Sequence, residues 1–441
     1  MSLLTFKGGI HPPESKEYTE HLPIEVAAAP HVVMIPLQQH IGAPAEAIVQ
    51  VGDRVLVGEK IGEAKGFVSA PVHSSVSGIV KDIAMRPAAG GNEVLAIIIE
   101  SDGKDEVHPS VSPKGSIESL SGKEIIQIIQ EAGIVGMGGA TFPTHVKLSP
   151  PPEKSIDTII LNGAECEPYL TADHRLMLET PENVVDGLRA MMKAVGVKKG
   201  YIGIESNKPD AIETMKKAAS AYPEIEVVGL QTKYPQGAEK QLIFACTKRE
   251  VPSGGLPMDA GVIVNNVGTA AQVAIAIKTG MPLIERITTV TGKGVKNPRN
   301  LMIKIGVPIK EAIEQCGGYA LTPGKIISGG PMMGLAVKTD EVVIGKGSSG
   351  VLVFDEVEGA LPEESQCIRC AKCVDICPAF IQPIFISLYT KKNKLKEAEA
   401  YRAMDCIECG SCSYVCPAKI ELLKDIRTAK QRILAKRRKK A

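Results

Sequence analysis

Two cysteine runs near the C-terminus constrain this 441-residue chain more than any other feature. They read Cys367-x2-Cys370-x2-Cys373-x3-Cys377-Pro378 and Cys406-x2-Cys409-x2-Cys412-x3-Cys416-Pro417, and together they hold eight of the eleven cysteines. Three cysteines at this spacing can bind three corners of one [4Fe–4S] cubane, while the fourth reaches the cubane of the other run. The sequence therefore predicts two clusters with crossed ligand sets. One set is Cys367, Cys370, Cys373 and Cys416, and the other is Cys406, Cys409, Cys412 and Cys377.

Disulfides and structural zinc are the other common uses of paired cysteines. Disulfides suit short secreted chains, and the first 20 residues lack the apolar segment of a signal peptide. Zinc sites use Cys-x2-Cys pairs but do not require a third cysteine, a fourth at x3 spacing and a following proline, all repeated. Iron–sulfur ligation is therefore predicted for these eight cysteines. The isolated Cys246 and Cys316 are expected to be small buried apolar residues.

The charge and hydropathy of the chain limit its partners and its location. With 51 basic and 50 acidic residues the formal net charge is +1, so no attraction to nucleic acid is expected. No apolar stretch reaches the roughly 18 to 20 residues that span a bilayer, and we expect membrane contact mainly through partners. A reducing cytoplasm suits a chain so rich in cysteine. The basic block Lys436–Lys440 predicts a solvated helix end or, alternatively, contact with an anionic surface.

The order of apolar segments predicts a multi-domain α/β protein. Residues 1–115 hold short β-rich runs that resemble the barrel-sandwich modules of biotinyl and lipoyl carriers, without their modifiable lysine. Residues 116–282 alternate strand and helix patterns, which indicates an α/β domain with a mostly parallel sheet. Residues 283–355 predict a β-grasp unit with a returning β segment. Residues 356–441 predict a helical, ferredoxin-like domain that holds the two clusters.

A glycine-rich segment in the predicted α/β domain is a candidate for binding a second cofactor. It runs from Gly133 to Lys147 and has four glycines among its first seven residues. Glycine lets backbone N–H groups approach a phosphate or a flat ring, although an ordinary tight turn is the alternative. Polar residues also follow two predicted strands, at Asn162–Pro168 and Asn265–Thr269. The carboxyl ends of parallel strands are where α/β sheets bind ligands, so the three segments predict one site.

These segments resemble the flavin-bearing, NADH-oxidising subunit of respiratory complex I, in its glycine-rich loop and in its loops Asn-Ala-Asp-Glu-Ser-Glu-Pro and Asn-Asn-Val-Glu-Thr. Together with the N-terminal β module and the cysteine runs, almost the whole chain resembles the C subunits of Rnf complexes, the ion-translocating ferredoxin:NAD oxidoreductases of membranes. The resemblance implies FMN and NAD(H) besides two [4Fe–4S] clusters. It also implies a peripheral position at the cytoplasmic face of the membrane, with other subunits as partners, including an iron–sulfur subunit that meets ferredoxin.

The same resemblance implies a set of cofactor-binding residues. Those implied for FMN are Gly136, Gly138 and Lys147, and those implied for the dinucleotide are Gly139, Ala140 and Phe142. The remaining positions are Asn162, Glu165 and Glu167 in the second loop, Gly237 and Glu239 in a further loop, and Asn265, Asn266 and Thr269 in the third. The chain departs from the family at several positions, among them Met137 in place of an Arg and Cys166 in place of a Ser.

The function implied is hydride exchange between NADH and FMN, followed by transfer of single electrons through both clusters to partner subunits. No catalytic side chain is expected, because the cofactors carry the chemistry. A soluble NADH-dependent cobalamin reductase of bacterial microcompartments shares the flavin loop and the cysteine runs, and it is the alternative within redox enzymes. A non-catalytic iron–sulfur scaffold is the alternative from another class, because residues 283–315 resemble the soluble ligand-binding β-grasp family.

Overall fold

The structure, a computed structural model, describes residues 3–438. Lys439 and Lys440 of the basic block therefore lie outside the described residues. Between residues 3 and 438, no helix combines the length and the apolar character needed to cross a membrane. The described chain forms an N-terminal β module, a parallel α/β domain, a mixed β-grasp sheet and a helical C-terminal domain, which confirms the predicted fold class.

Residues 3–23 form an arm that crosses the α/β domain. Leu4 N donates to Gly229 O at 3.0 Å, and Ile10 pairs with Tyr234 in an antiparallel bridge. The first strand, β1 (Ile24–Val26), then pairs in parallel with a strand of the β-grasp sheet. The arm thus contacts the α/β domain and the β-grasp sheet before the strands of the N-terminal module begin at Val32.

The N-terminal module consists of two small antiparallel sheets packed face to face. Val33, Ile35, Ile61, Ile97 and Ile99 are fully buried between them. Val33 and Ile35 in β2, and Ile97 and Ile99 in β8, are two residues apart, which places each pair on one face of its strand. One sheet has the order β2-β8-β7-β4 and the other β3-β5-β6. The strands are β2 (Val32–Pro36), β3 (Glu46–Ala47), β4 (Arg54–Val55), β5 (Lys60–Glu63), β6 (Val72–His73), β7 (Gly78–Pro87) and β8 (Glu93–Ser101).

The α/β domain has four parallel strands in the order β11-β10-β9-β12. The chain builds outward from β9 to β11 and then returns to the other side of β9, so the strand order reverses between β9 and β12. Ligands bind at such a reversal, outside the carboxyl ends of the strands. The strands are β9 (Thr158–Gly163), β10 (Lys199–Glu205), β11 (Ile225–Leu230) and β12 (Val262–Asn266), and the helices are α1 (Gly122–Glu131), α2 (Thr144–Lys147), α3 (Ala172–Glu179), α4 (Pro181–Val195), α5 (Pro209–Ala218), α6 (Glu239–Thr247) and α7 (Val267–Thr279).

The β-grasp unit has a six-stranded mixed sheet in the order β1-β14-β13-β17-β15-β16, in which the N-terminal arm supplies the edge strand β1. Helix α8 (Ile309–Gln315) buries Ile309, Ala312 and Ile313. The unit follows α7 directly, which brings the start of β13 close to the α/β domain. Its strands are β13 (Glu285–Thr291), β14 (Arg299–Lys304), β15 (Lys325–Ser328), β16 (Leu335–Ala336) and β17 (Gly350–Phe354).

The C-terminal domain is helical and has its own apolar core, which includes Ile386, Ile426 and three of the predicted cluster ligands, Cys377, Cys412 and Cys416. The two cysteine runs contain equivalent one-turn helices, α10 and α13, so the sequence repeat is also a structural repeat. The helices are α9 (Glu356–Gly359), α10 (Lys372–Asp375), α11 (Pro383–Lys391), α12 (Leu395–Ala400), α13 (Ser411–Tyr414) and α14 (Leu422–Arg438).

Candidate redox site

The glycine-rich loop connects α1 to α2 and rests on the end of β12 and the start of α7. Met137 N donates to Thr269 Oγ1 at 2.9 Å, which fastens the loop to the first turn of α7. Gly138 has a φ of +78°, and a Cβ at this position would lie 2.9 Å from Asn266 Nδ2. At Gly139 a Cβ would meet nothing within 4 Å, and Ala140 is exposed. The loop therefore rests on the end of β12 and leaves its other face open to a ligand.

Asn265 lies at the end of β12, beside Asn266, and carries an unused polar side chain; the end of β12 and the glycine-rich loop are together called the cradle. Its side chain is 2% exposed, and neither its amide nitrogen nor its amide oxygen has a hydrogen-bond partner among the described residues. A buried amide left without partners costs free energy, so native structures satisfy most such groups. Its neighbour Asn266 is already used, because its Oδ1 accepts from Gly268 N at 2.8 Å and caps α7. The orphaned amide of Asn265 thus fits the polar edge of a flavin.

The loop after β9, which contains Asn162 and Cys166, contacts the loop before α6 directly. Asn162 Nδ2 donates to Gly237 O at 2.8 Å, and Gly237 N donates to Cys166 Sγ at 3.2 Å. A Cβ at Gly237 would lie 3.2 to 3.3 Å from these two side chains, so glycine permits the close approach. Burial raises the pKa of Cys166, with smaller contributions from Glu205 and Glu167. The thiol is therefore protonated at neutral pH and serves as a hydrogen-bond acceptor.

Lys147 lies at the end of α2 and faces the start of α6. Its ammonium donates to Glu239 Oε1 at 3.1 Å and to Val264 O at 2.8 Å. An ammonium has three donors, so one remains for a phosphate. Phe142 is half-buried, and its carbonyl accepts from Gly136 N at 2.8 Å, which closes the base of the glycine-rich loop.

Glu165 and Glu167 are bound to backbone N–H groups of the protein. Glu165 Oε1 accepts from Asp173 N at 2.7 Å, at the start of α3. Glu167 accepts from Met332 N at 3.0 Å and Met333 N at 2.9 Å, in the turn after β15. Burial raises the pKa of Glu167 to about 7. The structure thus gives both carboxylates a role in holding the wall of the site.

The second predicted cluster set comes together in the C-terminal domain. A small cavity is lined by all four of its members, Cys377, Cys406, Cys409 and Cys412, and its wall is completed by apolar residues such as Ile426. Glu408 N donates to Cys406 Sγ at 3.4 Å. Four thiols around one apolar cavity, with a backbone N–H directed at one sulfur, form a donor set that suits a [4Fe–4S] cubane. The fourth member comes from the first run, as the crossed arrangement predicts.

The first predicted set is more open. Cys367 and Cys370 are exposed, Cys373 is half-buried and Cys416 is buried. Burial raises the pKa of Cys373, and the thiolates of Cys416 and Cys367 raise it further, which places these groups near one another. Within residues 3–438, no three His, Cys, Asp or Glu side chains converge closely enough to bind a single metal ion. A cubane does not require such convergence, because each of its four irons takes one thiolate.

Tyr234 connects the α/β domain to the cysteine cavity of the C-terminal domain. It lies in the loop before α6, is 1% exposed, and donates through its hydroxyl to Cys409 O at 2.7 Å. Two further bonds cross the same boundary, from Gln241 Nε2 to Pro378 O at 3.1 Å and from Gly9 N to Ile376 O at 2.8 Å. The cavity of the second set therefore adjoins the loop before α6. The resemblance includes Tyr234 in the loop that holds Gly237 and Glu239, but the sequence did not predict its bond to the C-terminal domain.

Comparison with known proteins extends over the whole architecture. Four family models match: the RnfC barrel sandwich hybrid domain at residues 4–104, the Nuo51 FMN-binding domain at 129–275, the SLBB domain at 287–336 and the 4Fe-4S dicluster domain at 366–420. A crystal structure of an NAD+-reducing [NiFe]-hydrogenase, air-oxidised, aligns with a TM-score of 0.50 at 18% identity, over 71% of this chain and 62% of that chain. This likeness concerns the fold alone.

Curated relatives align over nearly the full length. The C subunit of the Na+-translocating ferredoxin:NAD+ oxidoreductase complex of Acetobacterium woodii is 54% identical over 99% of this chain and 98% of its own. Its proton-translocating counterpart from Clostridium ljungdahlii is 51% identical over 91% of this chain and 88% of its own. The C subunit of the ion-translocating oxidoreductase complex of Rhodobacter capsulatus is 43% identical over 86% of this chain and 73% of its own. The chain belongs to the family of C subunits of the Rnf-type ion-translocating ferredoxin:NAD+ oxidoreductases.

Proposed function

We propose that this chain exchanges hydride between NAD(H) and FMN and relays single electrons through two [4Fe–4S] clusters to other subunits of its complex. The observation that carries the proposal is the boundary at Tyr234, where the loops of the α/β domain meet the cavity of four cysteines at a 2.7 Å hydrogen bond to Cys409 O. In this proposal the flavin, a two-electron carrier, and the cluster, a one-electron carrier, bind on either side of Tyr234. FMN, when bound, supplies the conversion between hydride and single electrons.

The residues of the cradle bind and orient the flavin in this proposal. The open backbone at Gly138 and Gly139 admits the flat ring or the phosphate without interference from Cβ atoms. Asn265 supplies the unused amide, and Lys147 supplies the remaining N–H donor for the phosphate. The dinucleotide approaches from the exposed face of the loop, where Phe142 offers a ring for stacking.

The structure also supports an order for the clusters. The set of Cys377, Cys406, Cys409 and Cys412 is the flavin-side set, because it adjoins the loop before α6. The set that contains Cys367 is the exit set, because two of its four ligands are exposed. We place the exposed set toward the partner subunits, with the whole chain peripheral at the cytoplasmic face of the membrane. The curated relatives carry the name of the membrane complex, which favours this function over the cobalamin reductase.

The test uses anaerobically purified protein supplied with iron, sulfide and FMN. We expect about eight iron atoms per chain for two cubanes, one flavin, and bleaching of both chromophores when NADH is added. A protein that binds no flavin, or whose flavin spectrum NADH leaves unchanged, contradicts the proposal. Co-purification from native membranes tests the partners, and a protein that sediments alone in every preparation contradicts the assignment to a complex.

A further inference from the structure

Asp173 lies one side chain away from the glycine-rich loop. It stands in the first turn of α3, is partly buried, and its Oδ2 accepts from Asn266 Nδ2 at 2.6 Å. The same Asn266 nitrogen is the atom that a Cβ at Gly138 would approach to 2.9 Å. Asp173 therefore sits at the floor of the cradle in which we place the flavin, separated from the loop backbone by one amide.

Arg286 of the β-grasp unit places a positive charge next to Asp173 and the glycine-rich loop. It is the second residue of β13 in the β-grasp unit and is 6% exposed. Its Nε donates to Ser348 O at 3.4 Å, and its Nη1 contacts Met137 Sδ within the glycine-rich loop. A Cβ at Gly268 would lie 3.4 Å from Arg286 Nη1 and 3.8 Å from Asp173 Oδ1. The guanidinium and the carboxylate thus flank the first turn of α7 together.

The groups around Asp173 have opposing effects on its pKa. Burial and, to a smaller extent, the nearby carboxylate of Glu165 raise its pKa to about 7, against the opposing effects of Asn266, Arg286 and Lys208. Conversely, burial lowers the pKa of Arg286 to about 10, and Asp173 partly offsets this effect. A buried charge is costly unless it is compensated, so each of the two groups depends on the other.

We propose that Asp173 takes up a proton when negative charge enters the flavin cradle, and that Arg286 is a positioning residue that holds the loop and tunes this uptake. The inference rests on the proposed function. Hydride from NADH delivers two electrons and one proton, releases NAD+ and leaves the flavin with one additional negative charge. A further proton then passes from water to a carboxylate oxygen of Asp173. The β-grasp unit thereby contributes to the flavin site.

The test compares the midpoint potential of bound FMN across pH 6 to 8 in wild type, Asp173→Asn and Asp186→Asn. Asp186 is a matched control, because it pairs with Arg189 and Lys278 on the outer side of α4. We expect the potential to fall with pH more steeply in wild type and in the control than in Asp173→Asn, by up to about 30 mV per pH unit for one extra proton per two electrons. Equal slopes in all three proteins overturn the proposal.

Infrared spectroscopy provides a readout that does not depend on turnover. The spectrum of the reduced protein minus that of the oxidised protein should show a protonated carboxyl band in wild type that is missing in Asp173→Asn. Arg286→Met should shift the pH range of proton uptake by Asp173 upward, because the cation that lowers the pKa of Asp173 is lost. Arg286→Lys should return this pH range to that of the wild type. Arg299→Lys, on the neighbouring strand, should change nothing. If wild type binds no FMN, the proposed function fails; if it binds FMN but the band persists in Asp173→Asn, only this inference fails.

Discussion

Crossed ligation predicts an asymmetric response to the loss of single cysteines. The structure places Cys377, a member of the first run, at a cavity with Cys406, Cys409 and Cys412 of the second. Cys377 is 7% exposed, and the thiol of Cys409 lies close enough to raise its pKa. Replacing Cys377 with Ser should therefore damage the cluster of the other run. Because each cubane contributes about four of about eight iron atoms, the iron content should fall by roughly half.

A background variant makes the assignment unambiguous. Cys367→Ser together with Cys370→Ser removes two exposed ligands of the first set and should leave one cluster, held by the second set. Adding Cys377→Ser to this background should abolish the remaining iron. Adding Cys416→Ser instead should leave it in place, since Cys416 belongs to the set already lost. The assays are iron and sulfide content and the electron paramagnetic resonance of the reduced protein. Uncrossed ligation predicts the reverse outcome for the two triple variants, and that result would refute the reasoning.

The remaining predictions concern the cradle, the boundary and the domain junction. Asn265→Ala should weaken FMN binding by roughly 5- to 150-fold, because it removes two hydrogen bonds that together contribute about 1–3 kcal/mol. The melting temperature of the flavin-free protein should change little. An unchanged Kd for FMN, measured by flavin fluorescence, would contradict the site. Gly138→Ala should cost about 1–2 kcal/mol of strain and lower FMN affinity, whereas Gly139→Ala, in open space, should not. Tyr234→Phe should slow cluster reduction in stopped-flow traces while flavin reduction keeps its rate. Lys346 lies at the domain junction, where its ammonium donates to Pro71 O of the N-terminal module at 2.6 Å and to Gly133 O of the glycine-rich loop at 2.7 Å. Burial lowers the pKa of Lys346 from 10.5 to about 7, so the unfolded state binds more protons between these values and stability rises with pH. Lys346→Met should flatten that rise in melting temperature between pH 7 and 9.

The fold class and the four-cysteine repeat could be predicted from the sequence because both depend on local patterns, whereas the crossed cysteine sets stay a prediction. The spacing within each run determines which thiols share a loop, and the alternation of apolar segments indicates a parallel sheet. The reversal of strand order between β9 and β12 then places the predicted loops at one edge. These inferences require no knowledge of contacts between distant segments.

The contacts that sequence reasoning missed join segments far apart in the chain. Arg286 reaches Met137 across 149 positions, and Tyr234 reaches Cys409 across 175. The arm adds a strand to the β-grasp sheet, where Ile24 of β1 pairs with Asn300 of β14. The carboxylates of Glu165 and Glu167 also accept from backbone N–H groups of distant segments, which the sequence did not predict, and their cofactor contacts stay a prediction. No periodicity or spacing in a single sequence encodes such pairings.

The central claim is that flavin stands between NADH and the clusters. The most direct measurement is the rate at which NADH bleaches the iron–sulfur absorbance in two samples of the same cluster-loaded protein, one with FMN bound and one from which FMN has been removed. The account predicts rapid reduction in the first sample, with flavin bleaching ahead of the clusters, and no reduction in the second until FMN is added back. Equal rates of cluster reduction with and without FMN would contradict it.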